Sequence, residues 1–269
     1  MSRMAKIKKQ DMESKFYVQS VQRALTIVDE LSRANQGLSL SEIAEKIDLP
    51  VSTVYRIVQN LVAWDYIRER EDGNYVLGFT LLELGNKVQD NLEIRNIARK
   101  YMEQLNRETK ETIYLAVLDK KNGEIIYVEK MESLHNIKLA ASVGTRNYIH
   151  STANGKCLVS GLSDEKIIEL LSIKGMPALT EKTVTSLPEF LKEVKEVRQK
   201  GYAVDDLENE PGVRCVAAPI IDFNKNVVAA LSISGVESNI SLESIEQSYS
   251  NLVKEAALKI SRQLGHRQA

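Results

Sequence analysis

Apolar and polar positions alternate with different periods along the chain. From Val18, "VQSVQRALTIVDELSRANQG" places apolar residues at Val21, Leu25, Val28 and Leu31, with Ala24 and Ile27 beside them. Steps of three and four predict one helix face, and Gly37 follows close after its end. In "LSLSEIAEKIDLPVSTVYRIVQNLVAWDYI", Ser39 and Glu42 have the spacing of a capping box, which predicts a short helix over about 40–47. "DLP" ends it, because the residue before a proline avoids helical angles. A second helix is predicted from near Val51, with Val54, Ile57, Val58, Leu61 and Val62 as its buried stripe. Its other face shows Ser52, Thr53, Tyr55, Arg56, Gln59 and Asn60. "YIREREDGNYVLG" then reads as a hairpin of 66–70 and 75–77 around Asp72-Gly73.

"GFTLLELGNKVQDNLEIRNIARKYMEQLNRET" is helical again. Phe79, Leu82 and Leu84 form a first group, and Ile94, Ile97, Ala98, Tyr101 and Leu105 a second stripe. The polar patch between them places a domain boundary near residue 90, with 79–91 as a helical linker. Beyond it, strand-like runs occupy 112–119, 124–133, 137–143, 213–221 and 227–236. Helical patterns fill 151–162, 163–173, 186–201 and 241–265. Strands joined by hairpins, with helices grouped between and after them, predict an α+β domain with an antiparallel sheet over 92–269.

Composition adds little to this picture. The 269 residues are 43% hydrophobic and 27% charged, ordinary for a globular chain. No stretch approaches a membrane span, and the start has no apolar segment of a secretory signal. Two cysteines, Cys157 and Cys215, make no disulfide framework and fit a reducing cytoplasm. Net charge is −1, so any DNA binding rests on local cations and on shape. The first sixteen residues carry five cations against two carboxylates, a net +3. Residues 1–17 are therefore predicted to be a basic, disordered arm, with room for a minor-groove contact.

A short capped helix, a tight turn and a helix with a polar leading edge form a helix-turn-helix, and the hairpin after it is a wing over 18–78. Ser52, Thr53, Tyr55, Arg56, Gln59 and Asn60 would face a major groove. Arg68 and Arg70 on the wing would lie near phosphates, where they position without specifying sequence. A solvated helix face is the plain alternative for the six residues of the helix. On "VQSVQRALTIVDEL", "LSLSEIAEKIDLPVSTVYRIVQNLVAWDYIRE" and "GNYVLGFTLLELG", the chain resembles the IclR (isocitrate-lyase regulator) family of bacterial transcription factors. The likeness runs over roughly 18–265.

That resemblance implies a GAF-like effector-binding domain at the C-terminus. It also implies a partner list: double-stranded operator DNA, a small organic, sugar or aromatic acid, and a second copy of the chain, as a homodimer or dimer of dimers. It implies no cofactor and no membrane, with repression as the commoner mode. Carried over residue by residue, it places Ala153, Asn154, Asp205, Cys215, Ser232 and Ser234 at the effector. Glu208 and Gly212 belong to the same pattern. Alternation in "AALSISG" independently puts Ser232 and Ser234 on one face, opposite Leu231 and Ile233. Asp205 would accept a hydrogen bond from a ligand hydroxyl, while serines and backbone amides hold the anion.

"HSTANGKC" (150–157) invites other readings. A P-loop needs glycine at position 150 and Ser or Thr at 157, where the chain has His150 and Cys157. Cys157 lies in an apolar run and reads as a packing thiol. Ser151 or Thr152 would cap a helix whose first amides, 153–155, point at an anion, and Lys156 would add charge or reach solvent. No HxxxH, CxxC or HExxH spacing exists, which disfavours a metal. The rivals to an effector-controlled regulator are a regulator with a metal-occupied or empty sensor domain, and an enzyme using Cys215 and Asp205.

Overall fold

The computed structural model describes residues 18–90 and 93–266. The chain divides into two compact units, Met1–Asn91 and Leu92–Ala269. The basic arm expected over 1–17 lies outside the described residues. In the first unit α1 (Gln19–Arg33), α2 (Leu40–Lys46) and α3 (Val51–Ala63) precede a hairpin of β1 (Ile67–Glu69) and β2 (Tyr75–Leu77), followed by α4 (Phe79–Asp90). The capping box forms. The Ser39 amide donates to Glu42 Oε2 at 2.8 Å, and the Glu42 amide to Ser39 Oγ at 3.3 Å, which satisfies two donors that the helix start leaves free. The turn passes through Asp48 at a left-handed φ of 52°, and α3 starts directly after Pro50. Ile27, Leu31, Ile43, Val54, Val58, Ile67 and Tyr75 make the core. The wing pairs Ile67 with Leu77 and Glu69 with Tyr75, and Gly73 supplies the positive φ its turn requires.

The buried face of α1 differs from the expected one. Ile27 and Leu31 are buried, but Val21 and Leu25 are 55% and 65% exposed. Thr26 is buried instead, because its hydroxyl donates to Gln22 O at 2.9 Å and so has its partner within the helix. Phe79, Leu82 and Leu84 of α4 are exposed as well.

The second unit opens with α5 (Glu93–Thr109). Its strands are β3 (Thr112–Asp119), β4 (Glu124–Met131), β5 (Arg146–Tyr148), β6 (Ala203–Asp206), β7 (Val213–Ile221) and β8 (Val227–Val236). They form one sheet in the order β5-β4-β3-β8-β7-β6, and every neighbouring pair is antiparallel. Between β5 and β6 come α6 (Ala153–Val159), α7 (Asp164–Lys174) and α8 (Leu187–Lys200); α9 (Leu242–Ser244), a π-helical turn (Ile245–Tyr249) and α10 (Ser250–Gln263) follow β8. Strand alternation gives the sheet two apolar faces. Ile113, Leu115, Val216, Leu231 and Ile233 pack with Ala98 and Met102 of α5 and Val253 and Ile260 of α10. On the other face Tyr114, Ala116, Ala217 and Ala230 pack with Cys157 and Leu158 of α6, Ile167 of α7 and Phe190 of α8.

Three expectations change here. Residues 137–143 are irregular and form no strand. Side chains take carbonyls of this segment instead: the Tyr114 hydroxyl donates to Ala141 O (2.9 Å) and Lys130 Nζ to Leu139 O (2.8 Å). Two strands absent from the expectation, β5 and β6, form the two edges of the sheet. Three residues of β5, and four of β6 with two aspartates, are too short to show a period. The single C-terminal helix is interrupted by the π-helical turn. Among the described residues no helix is long and apolar enough to cross a membrane.

Candidate functional site

The polar face of α3 is open. Ser52, Tyr55, Arg56, Gln59 and Asn60 are exposed and Thr53 is half-buried. Steps of three and four split these residues into two strips. Thr53, Arg56 and Asn60 edge a groove of about 750 Å³ whose apolar wall includes Val21, Leu25 and Trp64. Ser52, Tyr55 and Gln59 form the second strip, outside that groove. The wing arginines are braced against their own unit. The Arg68 guanidinium lies 4.7 Å from the Phe79 ring centroid, and Arg70 donates to Gln36 O at 3.1 Å.

In the second unit, register brings the carried-over residues together. Asp205 of β6 pairs with Cys215 of β7, Cys215 with Ser234 of β8, and Ser234 with Thr112 of β3. Directly opposed residues share a face, so four polar side chains form one row across four strands, roughly 14 Å long at the usual strand spacing. The next row is Ala203, Ala217, Ser232 and Tyr114. Asn154 of α6 lies over it and donates from Nδ2 to Ser232 Oγ at 2.8 Å. Ser232 and Ser234 hydroxyls are 3.3 Å apart.

Several polar atoms of this cluster lack partners. Asn154 Oδ1 and Thr112 Oγ1 are buried with no hydrogen-bond partner. Such an orphan costs free energy unless a water or ligand meets it. Asp205 Oδ1 accepts from the amides of Glu208 (2.8 Å) and Asn209 (3.3 Å). Burial and the adjacent Glu208 carboxylate nevertheless push the Asp205 carboxyl up to about 7. Burial also raises the Cys215 thiol well above its ordinary range, with Asp205 beside it adding to the effect. Both effects favour the neutral thiol over the thiolate. Among the described residues no cluster of three His, Cys, Asp or Glu side chains is placed to hold a metal ion.

The start of α6 does not offer all three of the amides expected to meet an anion. Thr152 caps it, but its Oγ1 accepts from the Gly155 amide at 3.1 Å, so that amide is taken. Gly155 is pressed on backbone, since a Cβ there would lie 2.2 Å from Ile149 O. Its smallness serves packing rather than the approach of a ligand. Lys156 does not reach solvent. It is 2% exposed, and its ammonium meets Val204 O (3.0 Å), Glu208 Oε1 (2.6 Å) and Glu193 Oε2 (2.9 Å). Burial alone would favour the neutral amine, but the two carboxylates outweigh it and raise the Lys156 pKa. Cys157 is fully buried and donates to Ala217 O at 3.3 Å, a packing thiol. His150 Nε2 lies 3.0 Å from Pro177 O, and burial lowers the imidazole pKa.

Thr112, Lys156 and Glu193 are site residues that sequence reasoning missed. Thr112 shares the serine face only through the β3–β8 pairing, which joins segments over a hundred residues apart. Its one local signal was a hydroxyl at the same parity as Tyr114.

A winged helix-turn-helix followed by a sheet domain with a buried polar row defines a DNA-binding regulator with a sensing domain. Comparison with known proteins gives the class its name. Residues 20–71 match the IclR helix-turn-helix domain, and 86–262 match the bacterial transcriptional regulator IclR C-terminal domain. The chain is 34% identical over 250 residues to the HTH-type transcriptional regulator KdgR of Escherichia coli (strain K12), covering 93% of this chain and 94% of that one. It is similar to the crystal structure of the Thermotoga maritima IclR, with 34% identity, a TM-score of 0.78, and coverage of 93% and 100%. It is also similar to an IclR homolog from Microbacterium hydrocarbonoxydans complexed with 4-hydroxybenzoate, with 26% identity, a TM-score of 0.78, and coverage of 91% and 99%. The chain belongs to the IclR family of bacterial transcriptional regulators. It is a transcriptional regulator with an effector-binding C-terminal domain, and not an enzyme.

Proposed function

We propose that this regulator acts in the cytoplasm, binding double-stranded operator DNA through α3 and the wing as a homodimer or dimer of dimers, and that a small hydroxylated acid in its C-terminal domain changes its operator affinity. Ser52, Thr53, Tyr55, Arg56, Gln59 and Asn60 would face base edges and phosphates, with Arg68 and Arg70 on the backbone. Ala153, Asn154, Asp205, Cys215, Ser232 and Ser234 would surround the effector, joined by Thr112. Repression, relieved by the acid, is the mode we favour. The differential affinity of the acid for the two states sets the size of the response.

The observation that carries the effector reading is the pair of orphaned polar atoms, Asn154 Oδ1 and Thr112 Oγ1, beside the Asp205–Cys215–Ser234 row. A carboxylate offers only acceptors, and it can be met by the serine and threonine hydroxyls. Asn154 Oδ1 and Asp205 are acceptors and call for donors on the ligand, which hydroxyls supply. The 4-hydroxybenzoate bound by the Microbacterium homolog has both kinds of group. Self-association is supported by the exposed Val21, Leu25 and Trp64 along the first unit's groove, an apolar face that a second copy would cover.

A thermal-shift screen of gluconate, pyruvate, glyoxylate and 4-hydroxybenzoate tests the effector reading. An acid at a hundred times its Kd adds about 2.7 kcal/mol to stability, enough to raise Tm by several degrees. The expected result is stabilisation by at least one hydroxy acid that is lost in Ser234→Ala. A panel without effect, or an undiminished effect in the variant, contradicts the reading.

A further inference from the structure

The corner between β6 and β7 carries Asp205 at its start. Leu207 there holds a φ of 65°, a conformation that persists only where surroundings over-determine it. Four side chains from outside the corner do so. Thr180 Oγ1 donates to Leu207 O (2.8 Å) and Thr183 Oγ1 to Glu208 O (2.6 Å). Ser151 Oγ donates to Asn209 Oδ1 (3.0 Å). Lys156 differs from these three in kind. It is a buried charge that reaches Val204 O and Glu208 Oε1 on the corner and Glu193 on α8 at once. Its ammonium donates to Val204 O and Glu208 Oε1, and the Glu193 carboxylate lies 2.9 Å away as an ion pair, so these contacts all go to the protein itself.

Its place in the chain gives the arrangement a use. Lys156 follows Asn154 by two residues on α6. Glu208, which it holds, donates its own amide to Asp205 Oδ1. A line of contacts therefore runs from the helix that presents Asn154, through Lys156 and Glu208, to Asp205 on the far side of the polar row. We propose that Lys156 is a positioning residue: it fixes α6 to the β6–β7 corner, so that Asn154 and Asp205 meet the effector as one unit. The inference rests on the effector reading above, and it names a role for the Gly-Lys pair that is neither phosphate binding nor direct ligand contact.

The test needs no ligand, so it fails or succeeds apart from the acid screen. Hydrogen exchange is followed in the full chain for Lys156→Met, Lys156→Arg and Glu208→Ala. In Lys156→Met, amides 204–210 and 153–157 are expected to exchange about tenfold faster or more, while β3, β4 and α10 keep wild-type rates, the pattern of a local opening. Alkylation by N-ethylmaleimide gives a second readout. Half-buried Cys215, paired with Asp205 across the strands, should react faster, while fully buried Cys157 stays protected. Lys156→Arg should restore much of the protection in both readouts. Lys156→Met strands the buried Glu208 carboxylate and unpairs the half-buried Glu193, and if it does not fold, Glu208→Ala decides. That variant leaves Lys156 paired with Glu193 and should loosen 204–210 selectively. Wild-type exchange at the corner in Glu208→Ala, or uniform acceleration with both cysteines exposed in a folded Lys156→Met, overturns the proposal.

Discussion

Asp205 gives the sharpest expectation at the scale of a single residue. Unfolded, its carboxyl titrates near ~3.9; in the fold, burial and Glu208 bring it to about 7. Between those values the folded state binds the extra proton. The stability this group contributes is complete below the unfolded value and is lost as pH rises through about 7. Asp205→Asn keeps an acceptor for the amides of Glu208 and Asn209 and removes the titration. The Tm of the variant relative to wild type should therefore climb between about pH 4 and pH 8. A difference that stays flat across this range contradicts the assignment. Asp205, Cys215, Ser232 and Ser234 were legible in the sequence, the serines by alternation and the others by family likeness. Thr112 and Lys156 were not, because their roles come from partners dozens of residues away. A lysine two residues from Asn154 on a short helix reads as a surface charge until Glu193 and Glu208 are seen to close over it.

Among elements, α3 carries the DNA claim. Its two polar strips face different surroundings, one along the groove of the first unit and one outside it. Arg56→Ala is expected to weaken operator binding by about 1–3 kcal/mol and, if it contacts a phosphate, to lower the salt slope by about one. Its Tm should not change, because Arg56 is exposed. Gln59→Ala, on the other strip, should act through sequence preference instead. Unchanged binding for Arg56→Ala in a mobility-shift titration removes its assigned role. Elements with strong local signals were legible: the capped α2, the Pro-led α3, the hairpin at Asp72-Gly73, and β3, β7 and β8. Two kinds of segment misled. Residues 137–143 have strand-like alternation but give their carbonyls to Tyr114 and Lys130, and β6 pairs at the sheet edge with almost no pattern of its own. The exposed side of α1 misled in another way, since Val21 and Leu25 belong to the helix stripe but not to the core of the unit.

At the scale of the whole molecule those exposed residues become informative. A second copy is the proposed cover for Val21, Leu25 and Trp64. Leu25→Glu, which puts a charge on that face without disturbing Ile27 or Leu31, should shift the protein toward smaller species in sedimentation analysis and weaken its binding to a palindromic site. Identical sedimentation of wild type and variant contradicts this use of the groove. The effector domain is expected to keep its thermal response in the same variant, since its polar row lies wholly within the second unit.

Control by the polar row in the second unit over what the first unit does to DNA is what makes the molecule a switch rather than a fixed binder. It is tested most directly by fluorescence anisotropy on an operator selected from genomic DNA, titrated with wild type and with Ser234→Ala, each with and without an acid that stabilises wild type in the thermal screen. Wild type is expected to lose affinity on adding the acid, by roughly five- to 150-fold if the coupling has the usual size. Ser234→Ala should bind the operator equally well without the acid and respond far less to it. An operator affinity indifferent to every stabilising acid, or a variant that responds as fully as wild type, contradicts the claim.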